Sequence, residues 1–132
     1  MIDHIRDAVI ADSAINDEIG GRFDPFVRVE SGSSALPACM YEVTNDEPLS
    51  VIGTASLINS DVEITVISLQ LIKSDEVSKL IISKLDGYSD SSNGIIRCKH
   101  VGTERQEVEP FDGSENYFFL TTSSWEIWHD NS

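Results

Sequence analysis

The stretch Asp61-Val62-Glu63-Ile64-Thr65-Val66-Ile67, with the stretch Ser74–Leu85 that follows it, decides the predicted fold. Val62, Ile64 and Val66 alternate with polar residues, which is typical of a β-strand with one buried face. We predict this strand over Leu57–Leu71. Beyond Ile67 both faces become apolar, so we expect this end of the strand to be covered on both sides.

The segment Ser74–Leu85 (SDEVSKLIISKL) predicts a helix. Ser74 is a candidate N-cap, and Lys84 in the last turn and Gly87 just beyond it fit a C-terminus. The apolar stripe that would face the strand consists of Val77, Leu80, Ile81 and Leu85.

The residues before this strand–helix pair predict a second helical region and two more strands. Residues 2–19 are helical with a break at Asp12-Ser13, and Gly20-Gly21 ends the second piece. Arg22–Val29 is a strand that Pro25 confines to an edge or a bend. We expect a turn or loop over Glu30–Ala35, a strand over Leu36–Thr44, a break at Asn45–Pro48 and a long loop over Leu49–Ser56.

The residues after the helix predict two further strands. Tyr88–Gly94 is a polar loop and Ile95–Val101 is a strand in which Ile96 and Cys98 share a face. Thr103–Gly113 is expected to be an exposed connection. Asn116–Trp128 is a final strand or pair of strands, with a bulge expected within Thr121–Ser124. The strands do not alternate strictly with helices, so we predict an α+β fold: a mainly antiparallel sheet with two helices packed on one face.

Length and charge limit the possible functions. The chain has 132 residues, which predicts a single domain, 1–132. Its net charge is −14, so binding to nucleic acid through phosphate contacts or to an anionic membrane is not expected. The acidity is densest in residues 104–132, which hold seven acidic residues and one basic residue. The N-terminal residues lack the features of a signal peptide.

No motif in the sequence predicts catalysis, a cofactor or a metal. Cys39 and Cys98 are expected to be reduced thiols, and the three histidines to be surface or edge residues. Cys98 and His100 share a strand face, which a Cys-His nucleophile would need, but a buried structural thiol is the favoured interpretation. Asp112–Asn116 resembles the start of a calcium loop, but Tyr117 stands where that loop requires glycine.

The order of these features resembles the small tail completion or tail terminator proteins of long-tailed bacteriophages and prophages. The resemblance covers nearly the whole chain. The stretches that carry it are Ile19-Gly20-Gly21-Arg22-Phe23, Ala35-Leu36-Pro37-Ala38-Cys39-Met40-Tyr41-Glu42-Val43, Val62–Val66, Glu76–Ile81, Leu85-Asp86-Gly87, Tyr117 and Trp125-Glu126-Ile127-Trp128. The run Thr121–Ser124 before the tryptophans departs from the family pattern.

The resemblance implies a structural role in a virion and no catalytic residues. Such proteins form a ring, often hexameric, at the head-proximal end of the tail tube, where the ring stops tube growth and meets the head connector. The implied partners are other copies of the chain, the tail tube protein and neck proteins. Ring contacts join different patches of neighbouring copies, and Asn45–Ser56 and Thr103–Gly113 are the candidates here. We hypothesise that part of the acidity lines the bore, so that DNA passes through the ring without being gripped. The alternative is that the acidity is ordinary surface charge that keeps the protein soluble.

Two alternatives stay open on the sequence alone. The chain could be another neck component, a head-closure or connector-adapter protein. It could also be an unrelated α+β domain that binds a small molecule, in which case a tight pocket with a buried ionised carboxylate is expected.

Overall fold

The computed structural model describes residues 1–25, 37–49, 57–108 and 118–130. In chain order the elements are α1 (Ile2–Ala11), α2 (Ser13–Ile19), β1 (Phe23–Asp24), β2 (Ala38–Leu49), β3 (Leu57–Ser68), α3 (Leu71–Leu85), a short 3-10 helix (Ser91–Asn93), β4 (Ile95–Val108) and β5 (Phe118–Asp130). Among the helices of these described segments, none is long and apolar enough to cross a membrane.

The strands form one sheet in the order β1-β2-β3-β5-β4. β1 is parallel to β2, and every other neighbouring pair is antiparallel. α3 lies on this sheet over β3, β5 and β4, and α1 and α2 pack against each other and against α3. The α+β class and the mainly antiparallel sheet are therefore confirmed.

The described residues contain three α-helices, so the prediction of two was one too few. The predicted break at Asp12-Ser13 is present, and it separates α1 from α2 because Asp12 is extended, with φ −78° and ψ 115°. The Asp12 carboxylate accepts hydrogen bonds from the backbone N–H groups of Ala14 and Ile15, at 3.0 and 3.3 Å, and so caps α2. Gly20, in the left-handed region at φ 55°, ends α2 as predicted.

One core lies between the helices and the sheet. Fully buried side chains from α1, α2 and α3 meet alternate residues of β3 and β5 there; those at 0 % or 1 % exposure are Ile5, Val9, Ile15, Ile19, Phe23, Cys39, Val62, Ile64, Val66, Val77, Ile81, Leu85, Ile95, Cys98, Trp125 and Ile127. Thr65 and Ile67 point to the other side of β3, yet they are only 6 % and 8 % exposed. β3 is therefore covered on both sides near its end, as expected, but it ends at Ser68 and does not continue to Leu71.

β2 and β4 are longer than predicted. The expected break at Asn45–Pro48 is wrong, because β2 continues past a bulge between Val43 and Asn45 and pairs with β3 as far as Leu49. Thr103–Val108, expected as a connection, is the second half of β4 and pairs with β5. In both segments an adjacent strand supplies partners, which overrides turn-prone or charged residue types.

Two local details of β4 and β5 also differ from prediction. A bulge between Ile95 and Arg97 buries Ile95 and leaves Ile96 52 % exposed, so Ile96 does not share the buried face with Cys98. β5 is one strand without the predicted bulge, since its pairing with β3 is continuous.

The helix α3 starts earlier than expected, at Leu71, so Ser74 is inside the helix and is not its cap. Its hydroxyl donates to the Leu71 carbonyl oxygen at 2.9 Å. Gly87, at φ 81°, follows the last helical turn as predicted.

Of the predicted strand Arg22–Val29, Phe23–Asp24 forms β1. Residues 26–29, the loop Glu30–Ala35 and the calcium-like Asp112–Asn116 lie outside the described residues.

Candidate assembly surface

The sheet has two faces of opposite character. We call the side that packs on the helices the helix face; on β5 it carries Trp125 and Ile127, both 1 % exposed. The other side, the open face, carries the alternate residues. Directly paired residues of neighbouring strands lie on the same face, so the pairing assigns each residue to one side. Beyond the end of the sheet that is covered on both sides (around Thr65 and Ile67), the open face carries these residues: Glu42, Asn45, Glu47, Asn59, Asp61, Glu63, Arg97, Lys99, Ser124, Glu126 and Trp128.

Carboxylates lie opposite one another on the open face. Glu42 on β2 pairs directly with Glu63 on β3. One row further along, Asp61 on β3 pairs with Glu126 on β5. Like charges in directly opposite positions of a sheet are destabilising, by roughly 0.2–1 kcal/mol a pair. The open face therefore concentrates negative charge at a cost in stability.

The ion pairs of the described residues lie elsewhere. Lys73 on α3 pairs with Glu18 on α2 at 3.1 Å and with Glu76 at 3.6 Å, and Arg105 pairs with Asp75 at 2.8 Å. The basic residues of the open face, Arg97 and Lys99, are both on β4 at one side of the sheet, and Lys99 lies opposite Glu126. The middle of the open face, on β2 and β3, thus keeps its negative charge.

A groove of about 540 Å³ lies at one end of the open face. Among its lining residues are Met40, Thr65, Leu120 and Thr122, together with the carboxylates of Glu42 and Glu63. Glu42 is exposed and Glu63 is half-buried. The groove therefore does not supply the buried ionised carboxylate by which a small-molecule site would be identified.

Both edges of the sheet are only partly covered within the described residues. β1 pairs with Cys39 and Met40 alone, which leaves β2 without an outer partner from Tyr41 onwards. On the other side, the backbone of Gly87, Tyr88 and Asp90 bonds to β4 at Cys98 and Ile95, with N···O distances of 2.8–3.0 Å. The Asp86 carboxylate accepts the His100 N–H at 3.2 Å. From Gly102 to Val108 the edge of β4 has no such partner in the described part of the chain.

These two open edges contain the segments that the sequence named as candidates for ring contacts. Asn45–Leu49 belongs to β2 and Thr103–Val108 belongs to β4. Both were expected to be loops and are instead edge strands, which present rows of unpaired backbone N–H and C=O groups. Residues 50–56 and 109–113 of the two predicted segments lie outside the described residues.

A polar cluster fastens α3 to the sheet on the helix face. Asp75 accepts two hydrogen bonds from the Arg105 guanidinium, at 2.8 and 3.0 Å, and one from the Thr121 hydroxyl at 3.0 Å. Burial by itself would raise the pKa of Asp75, but these hydrogen bonds and the Arg105 charge outweigh it and hold the pKa below the ordinary 3.8. The cluster ties the N-terminal half of α3 to β4 and β5.

The Cys98–His100 pair does not form a nucleophile. Burial raises the pKa of Cys98 to about 12, so its thiol stays protonated at neutral pH. His100 is directed elsewhere: its Nε2 lies 3.0 Å from the Thr103 hydroxyl and its ring packs 5.2 Å from that of Trp125. Burial also raises the pKa of Cys39 to about 12. Both thiols are therefore structural, as the sequence favoured.

Sequence reasoning missed a polar cluster of Ser60, Asp46 and His129, in which Ser60 and His129 are buried and Asp46 is exposed. Ser60 is 0 % exposed; its hydroxyl donates to the Asp46 carboxylate and lies 2.7 Å from Nε2 of His129. His129, expected at the surface or at a sheet edge, is 8 % exposed and lies on the inner strand β5. The serine lies between the other two groups, which is not the Ser-His-Asp order of a hydrolase, and it is closed to substrate. The three residues instead join β2, β3 and β5; their separation in sequence gave no signal of the contact.

Metal binding has no support in the described ranges, where no group of three or more His, Cys, Asp or Glu side chains is placed to hold an ion. Asp90, in the polar loop Tyr88–Gly94, is used locally: it accepts hydrogen bonds from Ser92 and Asn93 at 2.7 Å. These bonds lower the pKa of Asp90 and stabilise the turn before β4.

Comparison with known proteins identifies a similar fold. No protein-family model matches the chain, and no curated protein matches it. Among solved structures, it is similar to a chain in the virion of a native gene transfer agent (GTA) particle, with a TM-score of 0.75. The two chains are 14 % identical, and the alignment covers 96 % of this chain and 92 % of the other. At this identity, the likeness shows a shared fold over nearly the full described architecture.

Proposed function

We propose that this chain is a structural subunit of a phage-like particle, and specifically a tail terminator that forms a ring at the head-proximal end of the tail tube. The observation that carries the proposal is the fold shared with a chain of a gene transfer agent virion over 96 % of this chain. The order of sequence features that resembles tail completion proteins supports the same role. The ring ends tube growth and provides the surface on which the head connector docks.

The open face supports a position along the path of DNA. The opposed pairs Glu42–Glu63 and Asp61–Glu126 keep negative charge on a surface that the helices leave uncovered. A negative wall repels the phosphate backbone, so DNA passes without adhering to it. This role would explain why the chain keeps opposed carboxylates that lower its stability. In this arrangement the open face lines the bore and the helices lie outside.

Deletion of the gene from a particle-producing genome, followed by electron microscopy of the lysate, tests the proposal. We expect tails of uncontrolled length without heads, and restoration of normal particles by the gene supplied in trans. Headless tails of normal length would point to a head-closure or connector-adapter protein. Unchanged particles that lack the chain would contradict a virion role and favour the small-molecule-binding alternative.

The position of the open face is tested by charge reversal. Complementation with Glu42→Lys/Glu63→Lys is expected to give assembled particles that deliver DNA at least tenfold less well, because the bore then attracts phosphate. The matched control reverses two exposed acidic residues on the helices, Asp7→Lys/Asp17→Lys, and should deliver DNA normally. Equal delivery by the two variants would place the open face away from the DNA.

A further inference from the structure

The two open edges of the sheet are complementary in direction. Along the order β2-β3-β5-β4 each strand is antiparallel to its neighbour, so β2 and β4 run in opposite directions. When a second copy is related to the first by rotation about an axis roughly parallel to the strands, each of its strands runs in the same direction as in the first copy. Its β2 then meets β4 of the first copy in the antiparallel sense, and the alternation continues across the boundary.

The open stretches of the two edges lie at opposite ends of the sheet. Among the described residues, β2 has no outer partner over Tyr41–Glu47, whereas its other end is occupied by β1. Within the same described ranges, β4 has no outer partner over Gly102–Val108, whereas its other end is occupied by residues 86–90. Two copies placed side by side without a shift would bring open stretches against covered ones. A shift along the strands is therefore required before the two edges can pair.

A shift of four residues satisfies both the pleat and the charges. An even shift keeps the open faces of the two copies on the same side. Without a shift, Asn45 of one copy would lie opposite Lys99 of the next. With a shift of four residues, Asn45 lies opposite Glu104. No carboxylate then opposes another across the boundary; the resulting pairs are Tyr41 with Glu107, Glu42 with Gln106, Val43 with Arg105, Asn45 with Glu104, Asp46 with Thr103 and Glu47 with Gly102.

The same shift agrees with a closed belt of strands. Four residues correspond to roughly 13 Å along the strands, and four strands span roughly 19 Å across them. A displacement of this size in each copy tilts the strands by about 35° from the ring axis. Closed β-barrels have strand tilts of about 35–45°.

We propose that successive copies of this chain join by antiparallel pairing of β4 (Gly102–Val108) with β2 (Tyr41–Glu47), so that their sheets form one continuous belt with the open face on its inner side. This inference rests on the proposed ring. The contact is heterologous, as ring closure requires, because it joins two different edges. It also covers Val43, an apolar residue at the β2 edge that is 37 % exposed.

Paired cysteines test the contact. In the double variant Asn45→Cys/Glu104→Cys the two thiols meet across the boundary, whereas within one copy they lie on opposite edges of the sheet, roughly 19 Å apart. Both positions are exposed. The native Cys39 and Cys98 are buried with raised pKa values, so they contribute little background. Particles complemented with this variant are treated with diamide or a short bis-maleimide, and the chain is followed on a denaturing gel.

We expect a ladder of covalent species from dimer up to the full ring. The single variants Asn45→Cys and Glu104→Cys, and the control Lys79→Cys/Glu104→Cys with one thiol moved to an exposed position on α3, should give no ladder. A chain that is incorporated in particles but gives no ladder with either reagent would overturn the edge pairing and leave the proposed function intact. A dimer from Glu104→Cys alone would overturn it in favour of a two-fold contact. A chain absent from the particles would overturn both proposals.

Discussion

Two tryptophans on β5 show how differently the two faces of the sheet are used. Trp125 lies on the helix face, is 1 % exposed, and donates from Nε1 to the Ser123 hydroxyl at 2.8 Å. Trp128, three residues later, lies on the open face and is only half-buried, opposite Asn59 and Arg97. On the helix face, the Asp75 and Ser60 clusters pair polar groups within the fold. The open face leaves carboxylates opposed.

This difference separates the residues that stabilise the chain from those available for assembly. Substitutions on the helix face should lower the free energy of unfolding, because they open cavities or leave buried polar groups without partners. Substitutions on the open face should change it little, or raise it. Four predictions test this division, each with a matched residue on another part of the sheet or on α3.

The largest effect is expected for Trp125→Ala. Removal of this buried side chain should lower the free energy of unfolding by about 3–5 kcal/mol, because a large cavity forms between α3 and the sheet. Trp128→Ala is the control and should lower it by less than half as much. Urea denaturation followed by circular dichroism measures both. Equal losses would show that the open face is packed as part of the core.

Ser60→Ala is expected to have the next largest effect. The variant leaves the buried His129 without the hydroxyl that lies against its Nε2, and a buried polar group without a partner costs about 1–3 kcal/mol. Ser124→Ala makes the same chemical change on the open face of β5 and should be nearly neutral. The two urea midpoints give the comparison. A neutral Ser60→Ala would mean that the cluster does not fasten β2 to β5.

Asp75→Asn tests the fastening of α3 and predicts a pH dependence. The folded pKa of Asp75 lies below its ordinary 3.8, so its contribution is present above that value and is lost as pH falls through the folded pKa. Since Arg105 is half exposed, we expect a loss of only about 1 kcal/mol at pH 7.

Urea midpoints of the native chain and Asp75→Asn should therefore converge as pH falls from 5 to 2. Glu76→Gln, the adjacent and more exposed carboxylate of α3, is the control and should track the native chain throughout. A constant difference between Asp75→Asn and the native chain across this range would contradict the assigned role of Asp75.

The smallest effect, and the only stabilising one, is expected for Glu63→Gln. Removal of one charge from the opposed Glu42–Glu63 pair should raise the free energy of unfolding by about 0.2–1 kcal/mol. The gain should shrink in 1 M salt, where charges are screened over about 3 Å. Glu107→Gln, on β4 opposite Phe119, removes a charge without relieving such a pair. A destabilised Glu63→Gln would show that the open face is not under charge repulsion.

The sequence predicted the centre of the fold better than its edges, for a physical reason. β3 and α3 each bury one side, so their apolar residues recur at periods of two and near 3.6, which a single sequence displays. The second halves of β2 and β4 lie at the edges and carry turn-prone or charged residues such as Asn45, Asp46 and Glu104. Only pairing with β3 and β5 makes them strands, and that pairing is a long-range property.

The candidate surface was predictable in part. The segments named for ring contacts coincide with the open edges, because exposure and charge mark both loops and edge strands. The opposed pairs Glu42–Glu63 and Asp61–Glu126 depend on the strand order and register, which no local pattern specifies. The bulge between Ile95 and Arg97 likewise exchanged the roles of Ile95 and Ile96, since one inserted residue turns the following side chains to the other face.

The place of β5 between β3 and β4 has a consequence for the time course of folding. β5 follows every other described element in the chain, yet β3 and β4 both need it as a partner. During synthesis, the edge of β3 that pairs with β5 therefore stays unpaired until β5 has been made. Pairing over such long sequence separations is slow. Trp125 enters the core with β5, so its fluorescence should report the last step of refolding, after the helical signal of α3 has formed. Stopped-flow fluorescence and circular dichroism recorded on the same refolding reaction would separate the two events in time.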